Sequence, residues 1–402
     1  MNFKKIVSFL HLWLGLITGL VVFVVAITGC IYTFEHEIQE ITQPYRKVKE
    51  VGAVQLPPSQ IKAIAEAAAP GMEVRRIYYE TPENASMALY YADDAPYFYL
   101  TFIDQYTGEV LKVKNLREDF FTIVLYLHMT LLLPYGGEVI AVCTLVFLVM
   151  LVTGIVLWWP KNSNQKAIKT KFKIKWNGRW RRKNYDLHSV LGFYASWILV
   201  FIAITGLVWS YSWVESSLYY VLSGGEQLIE QTPLSSDSTR SSQNHLVPTI
   251  DQAWYKVLQE DASIRGTAVY LPHGSDGVIS IYSSPDYGTY GRLDWRYFDQ
   301  YTLQEKEVNH FRGRHANTTF AQKVLKMNYD IHTGGVLGLT GKFLAFFASL
   351  IAASLPVTGV LLYIGRKKAF KQENKTAVNK SNARHKPKAK AKPVLQPKKI
   401  LT

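Results

Sequence analysis

The sequence predicts an α-helical membrane protein, with four transmembrane helices generated by an internal duplication and two small α+β modules outside the membrane. Three observations carry this. The apolar residues collect in four runs, 6–34, 120–159, 186–213 and 332–364, each longer than the ~20 residues that cross ~30 Å of hydrocarbon. The stretch His11–Gly29, HLWLGLITGLVVFVVAITG, returns at His188–Gly206 as HSVLGFYASWILVFIAITG, with His, Leu-Gly and Ala-Ile-Thr-Gly at matching positions. The net charge of +14 is clustered in Lys4 and Lys5, in ten Lys/Arg within 161–183 and in thirteen within 366–402. Lys and Arg accumulate on the cytoplasmic side of membranes, so both termini and the 161–183 loop are expected inside, and no nucleic-acid partner is needed to explain the charge.

Taken in order, residues 1–35 are the first span. Ile27-Thr28-Gly29-Cys30 resembles a lipoprotein cleavage site, but the apolar stretch exceeds a signal h-region and the second copy carries Leu207 where the first has Cys30. Cys30 and Cys143 both lie in apolar runs, which predicts neither a disulfide framework nor a cysteine metal site. Residues 36–118 are the first outer module: a helix from Gln60 to Ala69 stopped by Pro70-Gly71, strands in EVRRIYYE, ASMALYY and YFYLTFID, and a hairpin at Asp104–Glu109 leading into VLKV. As one helix the run 120–159 would be about 60 Å long. Pro134-Tyr135-Gly136-Gly137 is where it breaks, so 119–160 reads as an interfacial helix followed by the second span. The basic loop 161–185 and the third span 186–214 follow. The second outer module, 215–318, repeats the order of the first: a helix from Ile250 to Gln259, strands in GTAVYLP, GVISIYS and DWRYFDQ, and Asp299-Gln300-Tyr301-Thr302, identical to residues 104–107. Residues 319–365 repeat the interfacial helix and span, with the break at His332–Gly335. The tail 366–402, rich in Lys and carrying Pro387, Pro393 and Pro397, is expected to be disordered and held near anionic lipid.

Four histidines stand at equivalent places. His11 and His188 each precede a Thr-Gly pair by 17 positions, and His128 and His332 precede Thr153-Gly154 and Thr358-Gly359 by 25 and 26. With spans one and three running outward and two and four inward, His11 and His188 fall near the inner face and His128 and His332 near the outer. An ionisable group in a span is costly unless it faces a protein interior, and there it marks function. Gly15 and Gly192, one turn beyond the inner histidines, leave a bare patch where a planar ligand fits, while Gly15-x-x-x-Gly19 and Gly192-x-x-x-Ser196 equally suit close helix packing. Zinc would want four ligands at one point, and a proton relay would want ionisable groups at the midplane. One imidazole pair in each leaflet is instead the axial set for two b-type haems, a path for electrons across the bilayer. Lys4, Lys5, Arg181, Arg182 and Lys183 stand near the inner pair as propionate partners. Lys342, at the outer end of a span against the charge bias, is the outer candidate, where the first half has Glu138. His36, His310 and His315 are outer-loop candidates for a substitute ligand or a substrate contact, and Trp158, Trp159, Trp209 and Trp213 read as interface belts.

Together with the Asp104-x-x-Thr107-Gly108-Glu109 hairpin, these features resemble the PepSY-associated transmembrane family of bacterial inner-membrane proteins over about residues 1–365. The resemblance implies PepSY-like folds for the two outer modules, bound haem, and a role in iron uptake, since FoxB-type members are di-haem ferric-siderophore reductases acting on the periplasmic side. Leu303-Gln304 replaces Gly-Glu in the second hairpin, so the hairpin reads as structural. Some relatives are fused to a flavodoxin-like and NADPH-binding reductase. No glycine-rich dinucleotide fingerprint occurs here, so a separate donor is expected, a quinol or a soluble flavoprotein.

The expected activity is that of an oxidoreductase, a ferric-siderophore reductase with two b haems. The alternative is a non-catalytic PepSY binding or regulatory protein anchored by its spans. A permease is disfavoured, because no span breaks at the midplane.

Overall fold

Helix α1 (Phe3–Thr33) crosses first and runs through α2 (Glu35–Thr42) into a sheet. The computed structural model describes residues 3–92, 97–160, 170–230, 232–241, 245–286, 288–308 and 310–384. α3 (Pro58–Ala68) and strands β1 (Val74–Tyr79), β2 (Ser86–Tyr91), β3 (Phe98–Ile103) and β4 (Val110–Asn115) form the first outer half. The short helix α4 (Phe120–Thr130), capped by the Asp119 carboxylate, precedes the second span, α5 (Gly136–Trp158). α6 (Trp180–Asp186) and a π-helical turn (Leu187–Leu191) lead into the third span, α7 (Gly192–Ser210). The second outer half contains α8 (Ser212–Ser223), α9 (Thr249–Glu260) and strands β5 (Gly266–Tyr270), β6 (Val278–Ser284), β7 (Asp294–Asp299) and β8 (Glu305–Lys306). α10 (Phe320–Lys326), closed by a Thr319/Gln322 capping box, and α11 (Asn328–Thr333) precede α12 (Gly338–Arg384), which contains the fourth span.

The helix break in 120–159 falls where the sequence places it. Leu131, Leu132 and Tyr135 adopt left-handed backbone, and a Cβ at position 136 would lie 1.6 Å from the Thr130 carbonyl oxygen, so only glycine closes this turn. α1 packs against α5 and α12, and α7 packs against the same two helices. The two copies of the repeated stretch therefore occupy opposite corners of a four-helix ring. Its interior uses small side chains, Ala195, Ala348 and Ala352, beside Leu151 and Leu199, which lets backbones approach where hydrophobicity supplies no drive.

The structure departs from expectation outside and at the ends. The strands of the two outer modules form one antiparallel sheet, ordered β4-β3-β2-β1-β5-β6-β7-β8. At the seam, Arg76 pairs with Tyr270, Ile77 with Val269 and Tyr78 with Ala268. α3 and α9 lie side by side on one face, where Ile61, Ala65, Trp254 and Val257 pack on Ile77, Tyr79, Val269, Ile279, Ile281 and Phe298. Helix also begins before the expected third span, at Trp180. α12 runs to Arg384, past the expected end of the fourth span at residue 365, through a stretch that holds no proline. Residues 385–402 of the expected tail and 161–169 of the basic loop lie outside the described residues.

Candidate functional site

His11 on α1 and His188 in the π-helical turn meet across the ring of helices, with ring centres 6.4 Å apart and planes at 90°. At the sheet end, His128 of α4 and His332 of α11 form a second pair at 6.1 Å and 72°. Each pair draws one histidine from each half of the sequence. Along α1, the 17 positions from His11 to Thr28, which holds His128, correspond to about 26 Å, so the two sites sit at opposite ends of the bundle.

The Thr-Gly pairs, which the sequence marks only as recurring punctuation, clamp the rings. The threonine Oγ1 to histidine Nδ1 distances are 2.9 Å for Thr153 and His11, 3.1 Å for Thr28 and His128, 2.9 Å for Thr358 and His188, and 3.0 Å for Thr205 and His332. Each hydroxyl also donates to its own helix, to Met150 O, Val24 O, Ser354 O and Phe201 O respectively. A hydroxyl has one proton to give, so its oxygen accepts from Nδ1–H, and the lone pair of each imidazole stays on Nε2. The carbonyls of Val25 and Ile202 also accept, at 3.0 Å, from His128 and His332. The adjoining glycines leave room for the ring edge: a Cβ at Gly29, Gly154, Gly206 or Gly359 would stand 3.3–3.5 Å from the Cε1 of the clamped histidine.

Among the described residues, no three His, Cys, Asp or Glu converge on a metal position. Two imidazoles per site suit a metal that brings its own equatorial ligands. Two in-line metal–nitrogen bonds of about 2.0 Å, plus roughly 1.1 Å from each nitrogen to its ring centre, put the ring centres roughly 6.2 Å apart, close to both observed pairs. The inner pair lines a cavity of about 320 Å³ walled by Gly15, Gly19, Gly192 and Arg366. That volume lies in the range of cofactor pockets, and the donor set fits a b-type haem. Gly15 also serves packing, since a Cβ there would lie 2.8 Å from the Met150 methyl group, and one at Gly192 would lie 3.4 Å from Leu355.

The expected cations are differently placed. Lys342 ion-pairs with Glu37 at 2.6 Å, Lys4 donates to the Trp159 carbonyl at 3.0 Å, and Arg182 pairs with Asp186 at 3.0 Å. Arg366 reaches the inner cavity, and sequence reading missed it because it opens a basic run. His36 sits 4.0 Å from Glu40, His310 packs on Phe311, and the His315 amide donates to Asp294; none joins a histidine pair among the described residues. Trp209, expected as a belt residue, lies 5.1 Å from the His332 ring.

The helices that carry the outer pair are tied to the sheet. Asp330, two residues before His332, accepts from the Tyr290 and Gly291 amides at 2.9 and 2.8 Å, while burial raises its pKa. Asp119, which caps α4, ion-pairs with Lys114 of β4 at 2.6 Å. Lys326 of α10 donates to the Leu293 and Gly313 carbonyls, and burial lowers its pKa to about 8.

No curated protein matches the chain. The family described as the PepSY-associated TM region matches residues 9–366, a stretch that takes in all four histidines, their Thr-Gly clamps and every strand of the sheet. The chain belongs to the PepSY-associated transmembrane family.

Proposed function

We propose that this chain is a di-haem b-type electron carrier of the bacterial inner membrane that reduces ferric siderophores on its sheet side and so releases Fe(II). The observation that carries this reading is the meeting of four histidines as two cross-half pairs, 6.4 and 6.1 Å between ring centres, each with Nδ1 engaged by threonine. A b-type haem with two imidazole ligands takes up and gives up one electron and leaves no position open for oxygen. His11 and His188 hold one such group and His128 and His332 the other, through Nε2. The threonines fix the rotation of each ring and polarise it through Nδ1–H. Gly15 and Gly192 leave the inner macrocycle room, Arg366 faces its propionates, and Lys342, shared with Glu37, is the outer cation.

The basic clusters argue for cytoplasmic termini and a periplasmic sheet. The repeated stretch, its diagonal placement and the cross-half pairing support descent from a duplicated half. Electrons enter on the cytoplasmic side from a quinol or a soluble flavoprotein. Reduction to Fe(II) loosens the grip of hard oxygen ligands, and the iron leaves the chelator.

An optical and pyridine-haemochrome measurement on the purified protein tests this, with low-spin haem at about two per chain expected. Dithionite-reduced protein should be reoxidised by a ferric siderophore, with Fe(II) caught by a ferrous chelator. Colourless protein would leave the membrane-anchored, non-catalytic reading. Protein that stays reduced with ferric hydroxamates, catecholates and citrate, yet gives its electrons to another periplasmic acceptor, would remove the siderophore part alone.

A further inference from the structure

The sheet face turned away from α3 and α9 carries a second chemistry. Side chains alternate across a strand, so with Ile77 and Tyr79 in the core, Arg76 and Tyr78 project from the opposite face. The register sets Tyr270 beside Arg76, Tyr282 beside Ala268, and Trp295 beside Tyr282. Tyr270, Tyr282 and Trp295 form a close triangle with ring centres 5.0–6.1 Å apart, and all three remain partly open to solvent.

Among the described residues, no carboxylate ion-pairs with Arg76, which stands among these rings. Its guanidinium carbon lies 3.7 Å from the Tyr270 ring centre, and Nη1 donates to the Tyr78 hydroxyl at 2.7 Å. Its Nε is buried with no acceptor. The fold supplies carboxylates to its other inward arginines: Arg296 on the opposite face has Glu260 and Glu305, and Arg46 has Glu40 and Glu80. Arg76 is only partly buried, so its solvent-facing edge, which no carboxylate among the described residues neutralises, can meet an anion.

The face borders the outer histidine pair. Tyr290, in the β6–β7 loop, is tied through its amide to Asp330, and its ring lies 4.6 Å from Tyr329; Tyr329 lies 6.3 Å from Trp209, and Trp209 is 5.1 Å from His332. Tyr290 is 43 % exposed, yet protein surrounds it closely enough that burial, then Tyr329 and Tyr78, raises its phenol pKa.

We infer that this face, centred on Arg76 with Tyr78, Tyr270, Tyr282 and Trp295, docks the ferric chelate and favours anionic complexes with aryl-oxygen ligands, catecholates above uncharged hydroxamates. The charge answers Arg76, the catechol rings stack on the tyrosine and tryptophan faces, and phenolic hydroxyls donate to the aryl oxygens. The identity of the ligand as an iron chelate rests on the proposed function; the preference for an anionic aromatic complex rests on the face alone.

Calorimetry with redox-inert Ga(III) complexes and the full chain in detergent separates the two. A Ga(III) tris-catecholate should bind at least about tenfold more tightly than a Ga(III) tris-hydroxamate. Arg76→Gln should remove about tenfold from the catecholate affinity and leave the hydroxamate affinity unchanged, and Arg76→Lys should keep most of the preference. Equal affinities in the unmodified protein would overturn the inference, as would wild-type catecholate binding by Arg76→Gln or an equal loss for both complexes. A shift of the outer-site potential in Arg76→Gln with binding unchanged would also overturn it and assign Arg76 to a haem propionate. Because gallium accepts no electron, binding without reduction of the matching iron complex would remove the reductase reading and leave the docking site standing.

Discussion

The two histidine pairs share a geometry and differ in what holds them. His11 and His188 ride on the spans, so the packing of the bundle places them. His128 and His332 ride on helices of 11 and 6 residues, too short to hold themselves in place. Their anchors are Lys114–Asp119 at one side of the sheet and Tyr290 and Gly291 to Asp330 toward the other. Nδ1 of His128 has both Thr28 and Val25 O within reach, whereas His11 has Thr153 alone among the described residues. The same histidine–threonine pairing is thus placed by the packing of a bundle at one end of the protein and by contacts to a sheet at the other.

The bluntest way to break this comparison is to delete one ligand. His11→Ala or His188→Ala should lower the haem content from about two to about one per chain and spare the outer site, and His128→Ala or His332→Ala should do the reverse. Loss of both haems from any single variant would make the pairs one unit.

Asp330→Ala should then separate their foundations. It leaves the Tyr290 and Gly291 amides without their acceptor, which costs about 1–3 kcal/mol, and it should deplete the outer haem while the inner spectrum is unchanged. Asp330→Asn keeps an acceptor and should retain most of the occupancy. Equal depletion of both sites would show that the sheet does not hold the outer pair separately.

Smaller still, Thr153→Val should move the inner midpoint potential by roughly 20–60 mV, since His11 loses its one Nδ1 acceptor among the described residues. Thr28→Val should move the outer potential less, because Val25 O remains 3.0 Å from His128. Potentiometric titration would reveal equal shifts if the carbonyl carries no share.

The last effect is read in the acid stability of the sheet and belongs to Asp299. Burial pushes its carboxyl up, but the amides of Thr302, Asp237 and Tyr301 outweigh burial and hold it at about 2. A carboxylate depressed below its unfolded value of about 3.9 adds stability that is present above about pH 4 and lost as the pH falls toward 2. Circular-dichroism melts should show this loss in the native chain and a smaller one in Asp299→Asn, with the outer haem spectrum changing before the inner.

Much of this was legible because membrane spans and half-buried strands write their periodicity into the chain. The four apolar runs, the break before Gly136 and seven of the eight strands fall where composition and turn residues put them. The histidine positions could be matched from the repeat, since spacing along a helix converts directly into depth. Strand pattern, by contrast, encodes which face is buried and says little about which edge finds a partner, so the β1–β5 seam was invisible. Lys342 read as a solitary cation because Glu37 lies 305 positions away, and the role of the threonines required knowing which helix faces which histidine.

The seam has a consequence for how such a scaffold can vary. Seven gaps of about 4.8 Å make the eight-stranded plate roughly 34 Å wide, and its attachments to α4 and α11 lie toward opposite sides of it. The plate works as a jig whose strand count sets the distance between two mountings. Its turns other than the β6–β7 loop that holds Asp330 can lengthen without disturbing the outer rings, but a strand gained or lost between the mountings would pull those rings out of line.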